Sequence, residues 1–241
     1  MTPNQAGGQQ RLPKHVGIIM DGNGRWAQSR HVPRQMGHKA GAENLERIIK
    51  HGEKIGIDFM TFYAFSTENW KRSQEEIDGL MELFRGFLAQ AGRYTKTNLR
   101  LRVLGDMTPI APDMREKVED MVNQTANNTG MIVAFAFNYG GRAEIVQAAK
   151  ALLHRQQAGD LANIEAVTED DFAAGLYTAG MPDVDLIIRT SGEQRSSNFL
   201  LWQGAYAEYA FPKVLWPDFS AEDFDDALQE YAGRNRRLGG R

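Results

Sequence analysis

The 241-residue chain contains no cysteine. Disulfides, thiolate nucleophiles, iron–sulfur clusters and Cys-based zinc sites are thereby excluded, and a reducing cytoplasm is the natural home. Long apolar runs are also missing. The longest, Met131 to Phe137, falls far short of the roughly 20 residues that span a bilayer, so any service to membranes comes from outside the lipid. Nor is there an excess of positive charge: 28 basic residues face 31 acidic ones, for a formal net charge of -3. Sequence-independent nucleic-acid binding is not expected of such a chain, and any anion site must be local. The start, Met1 to Gln10, is polar and Gly/Gln-rich, without the basic and apolar regions of a secretory signal. Residues 1–12 read as a flexible leader, and with no linker, repeat or break in composition after them, 13–241 read as one domain. No GxxxxGK[ST] loop is present, so the lysine and hydroxyl of a P-loop nucleotide site are lacking.

What remains is a globular composition, 42% hydrophobic and 24% charged. Val16 to Met20, Phe59 to Phe65, Met131 to Phe137 and Val184 to Ile188 are short, rich in β-branched or aromatic residues and bounded by turn residues, as buried strands are. Leu99 to Leu104 alternates apolar residues with Arg100 and Arg102, which suits a strand with a wet face or at an edge. Between them lie helical patterns at Lys39 to Lys54, Glu75 to Gln90, Pro112 to Asn127, Arg142 to Gln157 and Ala221 to Arg234. Alternating strands and helices predict a single α/β domain with a mostly parallel sheet flanked by helices. Ligands of such sheets bind beyond the carboxyl ends of the strands.

Three strand ends carry chemistry. The first strand runs into Asp21-Gly22-Asn23-Gly24-Arg25-Trp26-Ala27, where two glycines allow a tight turn that presents bare N–H groups to an anion. The same spacing matches the glycine pattern of dinucleotide folds, which would not explain Asp21 before the first glycine or Arg25 within the loop. An ordinary glycine turn capped by Asp21 is the plain alternative. Arg34 and His38 precede the next helix. The second strand ends in Ser66-Thr67-Glu68-Asn69-Trp70-Lys71-Arg72, where helix capping accounts equally well for Ser66 and Thr67. Ile187-Ile188 leads into Arg189-Thr190-Ser191-Gly192-Glu193-Gln194-Arg195-Ser196-Ser197-Asn198. Arg25, Arg34, His38, Arg72, Arg189 and Arg195 suffice to grip two diphosphates. Asp21 among phosphates makes sense when a hard cation such as Mg²⁺ bridges it to their oxygens. Met81, Phe84, Phe87 and Leu88 would face Phe62, Ala64, Ile132, Ala134 and Phe135, as plain core or as the wall of a channel.

These segments resemble the cis-prenyltransferases, and within them the bacterial undecaprenyl diphosphate synthases. The likeness runs through His15 to Ala27, Gly37-His38-Lys39-Ala40-Gly41, Phe65 to Trp70, Asn138-Tyr139-Gly140-Gly141-Arg142 and Asp185 to Gln203, in family order. It implies a six-stranded sheet, a hydrophobic prenyl tunnel and a homodimer. The aspartate-rich DDxxD motif of trans-prenyltransferases does not occur. The implied reaction adds isopentenyl diphosphate repeatedly to an allylic diphosphate such as farnesyl diphosphate, giving undecaprenyl diphosphate as cell-wall lipid carrier. A short-chain or branching cis-prenyltransferase, or a non-catalytic prenyl-diphosphate-binding subunit, is the alternative. By the same resemblance Asp21 is the Mg²⁺-associated carboxylate, with Glu208 a further metal ligand. Gly22, Asn23, Gly24, Arg25, Arg34 and His38 hold the allylic diphosphate beside Trp26. Arg189, Arg195, Ser196 and Ser197 hold isopentenyl diphosphate. Ser66, Thr67, Glu68, Asn69, Trp70 and Arg72 line the reacting end, Asn69 as the catalytic candidate, and Glu76 lies on the segment entering the tunnel helix. Some relatives carry His where this chain has Gln194. The Arg237-Leu238-Gly239 element reaches a neighbouring subunit's site, and peripheral membrane contact accompanies product release.

Overall fold

The computed structural model describes residues 12–89, 96–161 and 163–234; most of the leader and the Arg237-Leu238-Gly239 element lie outside the described residues. Six parallel strands form one sheet: β1 (His15–Ile19), β2 (Phe59–Ser66), β3 (Arg100–Leu104), β4 (Ile132–Tyr139), β5 (Leu186–Arg189) and β6 (Glu208–Ala210). Their order is β3-β4-β2-β1-β5-β6, and every pairing is parallel. The alternating β3 sits at an edge, as its arginines require. The short β6, the other edge, carries no periodicity to announce it, and the sixth strand was expected from the family resemblance alone. The helices are α1 (Asn23–Ser29), α2 (Arg34–Ile55), α3 (Gln74–Ala89), α4 (Pro112–Thr125), α5 (Gly141–Gln157), α6 (Glu169–Ala173) and α7 (Ala221–Gly233).

Alternation along the strands divides the interior into two cores. Val16, Ile18, Met60, Phe62, Val133 and Phe135 face α2, α3, α4 and α7, meeting Ile48, Phe84, Met121 and Phe224. Ala134, Ala136, Tyr139 and Ile187 point the other way, toward Phe199 and Leu200. This corrects the expected channel wall: Ala134 belongs to the face away from α3, and Ile132 shares its parity. On the α3 face the rings close on one another, with Phe84 stacked on Phe137 at 3.8 Å between centroids and Phe87 against Phe135 at 4.7 Å.

Two compensating irregularities re-aim the sheet where the site lies. The β2–β4 register shifts between Tyr63 and Phe65 and again between Phe65 and Ser66, opposite Asn138, whose φ is 47°. The first shift brings Phe65 onto the same face as Phe62. Trp70 and Asn138 lock this end, the indole Nε1 donating to Asn138 Oδ1 at 2.8 Å while Asn138 Nδ2 donates to the Asp106 carbonyl at 2.6 Å.

At the opposite end, His15 is fully buried, its Nδ1 2.9 Å from the Pro182 carbonyl and its Nε2 2.8 Å from the Thr61 hydroxyl. Burial drives its pKa down to about 4, against the raising effects of the Pro182 carbonyl and Asp185. The unfolded chain takes up a proton near pH 6.5 that the native ring refuses, so stability from His15 is whole above pH 6.5 and declines as pH falls to 4. That decline is worth about 3 kcal/mol. Urea unfolding at pH 7.5 and 4.5 is expected to reveal it, and His15→Gln to flatten it.

Candidate active site

Strand order reverses around β1, whose neighbours are β2 on one side and β5 on the other, and the crevice beyond their carboxyl ends is the ligand position of open parallel sheets. Two adjoining chambers open there. One, of about 620 Å³, is lined by Asp21, Gly22, Asn23, Gly24, Arg25, Arg34, His38 and Arg72 among others. The second, of about 580 Å³, is lined by Asp21, Asn23, His38, Tyr63, Ser66, Glu68, Asn69, Arg72, Arg189, Ser197 and Asn198 among others. Asp21, Asn23, His38 and Arg72 belong to both walls.

Gly22, with φ of 112°, turns the chain out of β1 into α1. Contrary to the sequence expectation, α2 begins at Arg34, so Arg34 and His38 are not loop residues but stand four apart on one helical face. Gly37 between them lets α2 approach so closely that a Cβ there would lie 2.1 Å from the Asn23 carbonyl oxygen. His38 Nε2 is buried without a protein partner. Burial first, then the Arg34 and Arg72 cations, lower the His38 pKa against the pull of Glu76, which favours the neutral ring.

Asp21 divides its carboxylate between two guanidiniums: Arg25 Nη2 donates to Oδ1 at 3.1 Å and Arg189 Nη2 to Oδ2 at 2.8 Å. Partial burial works to raise its pKa, but the hydrogen bond and charge of Arg189, joined by Arg25, hold it below the usual aspartate value. Arg189 is 5% exposed, and its Nη1 donates to Ser197 Oγ at 2.6 Å and to the Arg195 carbonyl at 2.8 Å. Arg25 also donates to Ser191 Oγ at 2.6 Å and Glu193 at 3.3 Å, and Glu193 pairs with Arg195. On the far wall Glu76, in the first turn of α3, accepts from Arg34 at 2.9 Å and from Arg72. Asn69 Oδ1 accepts the Ser66 backbone N–H at 3.0 Å in a reciprocal capping box over residues 66–69. That bond uses its carbonyl and leaves the NH₂ as the group available to the second chamber.

Several expected residues stand off these walls. Trp26 turns outward, its Nε1 donating to Asp218 at 2.8 Å and its ring lying 4.2 Å beneath the Arg30 guanidinium. Thr67 packs at Gly140, and Trp70 is spent on Asn138. Arg195 contributes its carbonyl to Arg189 and its side chain to Glu193. Ser196 only accepts the Phe199 N–H within its loop. Glu208 begins β6 level with Leu186 and pairs with Arg234 at 2.7 Å. Val16, at the same level on β1, precedes Ile19 by three residues, so Glu208 lies about 10 Å back along the sheet even before Asp21 is reached. Within one chain Asp21 and Glu208 are thus set apart along the sheet. Among the described residues no group of three or more His, Cys, Asp or Glu is arranged to hold a metal. A single carboxylate beside a diphosphate cradle nevertheless suits Mg²⁺, which takes most of its ligands from phosphate and water.

The sequence reading passed over Tyr63 and Asn198, which line the second chamber. Tyr63 has the alternation of an ordinary strand residue. Asn198 shares its loop with Arg195 and Ser197, which was the available signal.

An arginine-lined cleft at the reversal point of a six-stranded parallel sheet places the molecule in the cis-prenyltransferase class. Lavandulyl diphosphate synthase from Lavandula x intermedia, solved in complex with dimethylallyl diphosphate, matches it with a TM-score of 0.90 at 36% identity, over 95% of this chain and 98% of that one. An isoprenyl transferase of Clostridium perfringens is 45% identical over 233 residues, 96% of this chain and 92% of that protein. A ditrans,polycis-undecaprenyl-diphosphate synthase of Vibrio vulnificus, (2E,6E)-farnesyl-diphosphate specific, is 46% identical over 231 residues, 95% of this chain and 92% of its own length. The family model described as "Putative undecaprenyl diphosphate synthase" matches residues 19–239. The chain belongs to the undecaprenyl diphosphate synthase family of prenyltransferases.

Proposed function

We propose that the chain lengthens an allylic diphosphate, farnesyl diphosphate by preference, through repeated cis condensation of isopentenyl diphosphate to undecaprenyl diphosphate. The observation that carries this reading is the pair of chambers sharing Asp21, Asn23, His38 and Arg72, whose cation-rich walls suit two diphosphates side by side. The first chamber, with Arg25, Arg34, His38 and the Gly22–Gly24 backbone, receives the allylic head. The second, with Arg189 and Ser197, receives isopentenyl diphosphate. Mg²⁺, when bound at Asp21, supplies positive charge to the departing diphosphate. The isopentenyl double bond attacks C1 of the allylic partner as its diphosphate leaves, and a proton is then lost to set the cis double bond. Arg25, Arg34 and Arg72 stabilise the charge that develops on the leaving group, and a shared wall supplies orientation. Asn69, a neutral amide with its carbonyl already bonded, orients the substrate, while a departing diphosphate oxygen takes the proton.

The growing tail needs an apolar path. A groove of about 700 Å³ between α2 and α3 supports one beside α3: Met36, Ala42, Leu83 and Phe87 line it, along a rim that also carries Lys39, Glu43, Glu46 and Glu82. The exposed apolar residues Val146 and Leu153 of α5, with Leu201 and Tyr206, support a homodimer. Among the described residues no helix is long and apolar enough to cross a membrane, and we place the protein in the cytoplasm, touching the membrane peripherally to release product.

Incubation with farnesyl diphosphate, labelled isopentenyl diphosphate and Mg²⁺ is expected to give a ladder ending at undecaprenyl length with cis additions. No chain growth overturns the reading; one condensation or a branched product establishes the short-chain alternative.

An incoming diphosphate must win Arg34 and Arg72 from Glu76. Glu76→Gln is therefore expected to tighten binding of inorganic pyrophosphate, measured by calorimetry. With solvent-facing arginines on a half-shielded carboxylate, pairing of this kind is worth about 1 kcal/mol, or roughly fivefold in affinity.

A further inference from the structure

Between Ser191 and Leu200 four residues other than glycine adopt left-handed backbones: Ser191 (φ 73°), Ser197 (φ 48°), Asn198 (φ 65°) and Leu200 (φ 45°). Such conformations persist only where surrounding contacts hold them, and they gather at functional sites. Asn198 supplies the contacts. Its Nδ2 donates to Glu68 Oε1 at 2.9 Å, its Oδ1 accepts the Arg142 N–H at 2.9 Å, and its carbonyl accepts the Gly141 N–H at 2.7 Å. One residue thus fastens the loop after β2, the start of α5 after β4, and the loop after β5. The approach is close: a Cβ on Gly140 would lie 2.6 Å from Thr67 Oγ1 and 2.8 Å from Asn198 Nδ2. The preceding residue, Ser197, accepts from Arg189 through Oγ and from the Tyr63 hydroxyl through its carbonyl at 3.3 Å. Glu68, Arg189, Ser197 and Asn198 all line the second chamber.

We propose that Asn198 is a positioning residue for condensation: it turns the Glu68 carboxylate to a fixed place opposite the Ser197–Arg189 arm, so that isopentenyl diphosphate is held at its head by one and aligned at its reacting end beside the other. The proposal rests on the condensation reading given above. The Glu68 carboxylate also accepts from its own backbone N–H and from the Ser66 and Thr67 hydroxyls of its own loop, and Asn198 is the donor that ties it across to the loop after β5. The bond from Asn198 keeps it in place without adding charge, which an aspartate at this position cannot do.

The test uses Asn198→Asp, because aspartate tolerates the left-handed backbone and still accepts from Arg142 N–H. It loses the donor to Glu68 and sets two carboxylates against each other. We expect kcat to fall at least tenfold, with KM for the allylic diphosphate within twofold of wild type and the thermal midpoint within a few degrees. In a Glu68→Gln background the amide donates to the new aspartate and restores the link with its polarity reversed. There Asn198→Asp is expected to cost less than twofold beyond Glu68→Gln alone. Multiplicative losses in the double variant, or a fall in thermal midpoint that accounts for the lost turnover, overturn the role of Asn198 while the condensation reading stands. A wild-type chain that condenses nothing removes that reading, and this one with it.

Discussion

Asp21→Ala is expected to lower the condensation rate by a factor of about 1,000 or more, because it removes the one carboxylate at the wall common to both chambers. The substitution also strips Arg189 of its counter-ion. That guanidinium is 5% exposed, and leaving such a charge unpaired costs about 3 kcal/mol or more. Lost activity in the alanine variant therefore mixes chemistry with stability. Asp21→Asn reduces the stability part: Arg189 loses its counter-ion here too, but the amide oxygen still accepts its hydrogen bond, and with Ser197 and the Arg195 carbonyl the guanidinium stays partnered, while the charge that attracts Mg²⁺ is gone. We expect the asparagine variant to unfold within a few degrees of wild type and to remain nearly as inactive as the alanine variant. Turnover close to wild type in Asp21→Asn would remove the metal role assigned to this carboxylate.

Arg189→Lys has the second large effect. Arg189 uses both terminal nitrogens of its planar guanidinium, Nη2 on Asp21 and Nη1 on Ser197 and the Arg195 carbonyl, while its buried Nε has no protein partner. An ammonium is a point charge on a flexible stem and cannot span both directions. The loop from Ser191 to Leu200 loses its anchor to β5, and Asp21 is left with the more exposed Arg25. We expect at least a hundredfold fall in kcat/KM for isopentenyl diphosphate, with a smaller change in KM for the allylic diphosphate. Equal effects on both substrates would contradict the assignment of Arg189 to the second chamber.

The strands were readable because parallel, doubly covered strands are short apolar runs, and β1, β2, β4 and β5 stand close to where their composition places them. The start of α2 was not. Gly37 and Gly41 weaken the local helical pattern, and only the close crossing of α1 explains why glycine is needed at Gly37. The expected wall of Ala64, Ile132 and Ala134 mixed two faces: Ile132 and Ala134 alternate with Val133 and Phe135 and turn away from α3, whereas Ala64 packs with the α3-side core. The bulge, a property of two strands that leaves no mark on either alone, re-aims Phe65 instead. At the site, residue types and loops were visible in the sequence, whereas partners were not. That Trp26 belongs to Asp218, or Glu208 to Arg234, depends on contacts spanning much of the chain or crossing from a strand edge to a helix end. Asn198 escaped for the same reason, its three partners lying on two other segments.

The ion pairs of the cleft set what an incoming anion must displace. Arg25, Arg34, Arg72 and Arg189 on the chamber walls are paired with Asp21, Glu76 and Glu193, and Glu193 also pairs with Arg195 behind the wall. Chloride or a lone orthophosphate brings too little charge and too short a reach to dislodge several of these internal partners together. A pyrophosphoryl group spans them and repays each displaced acid at once. The cleft is in this sense held by its own acids, and a ligand enters by replacing several of them together.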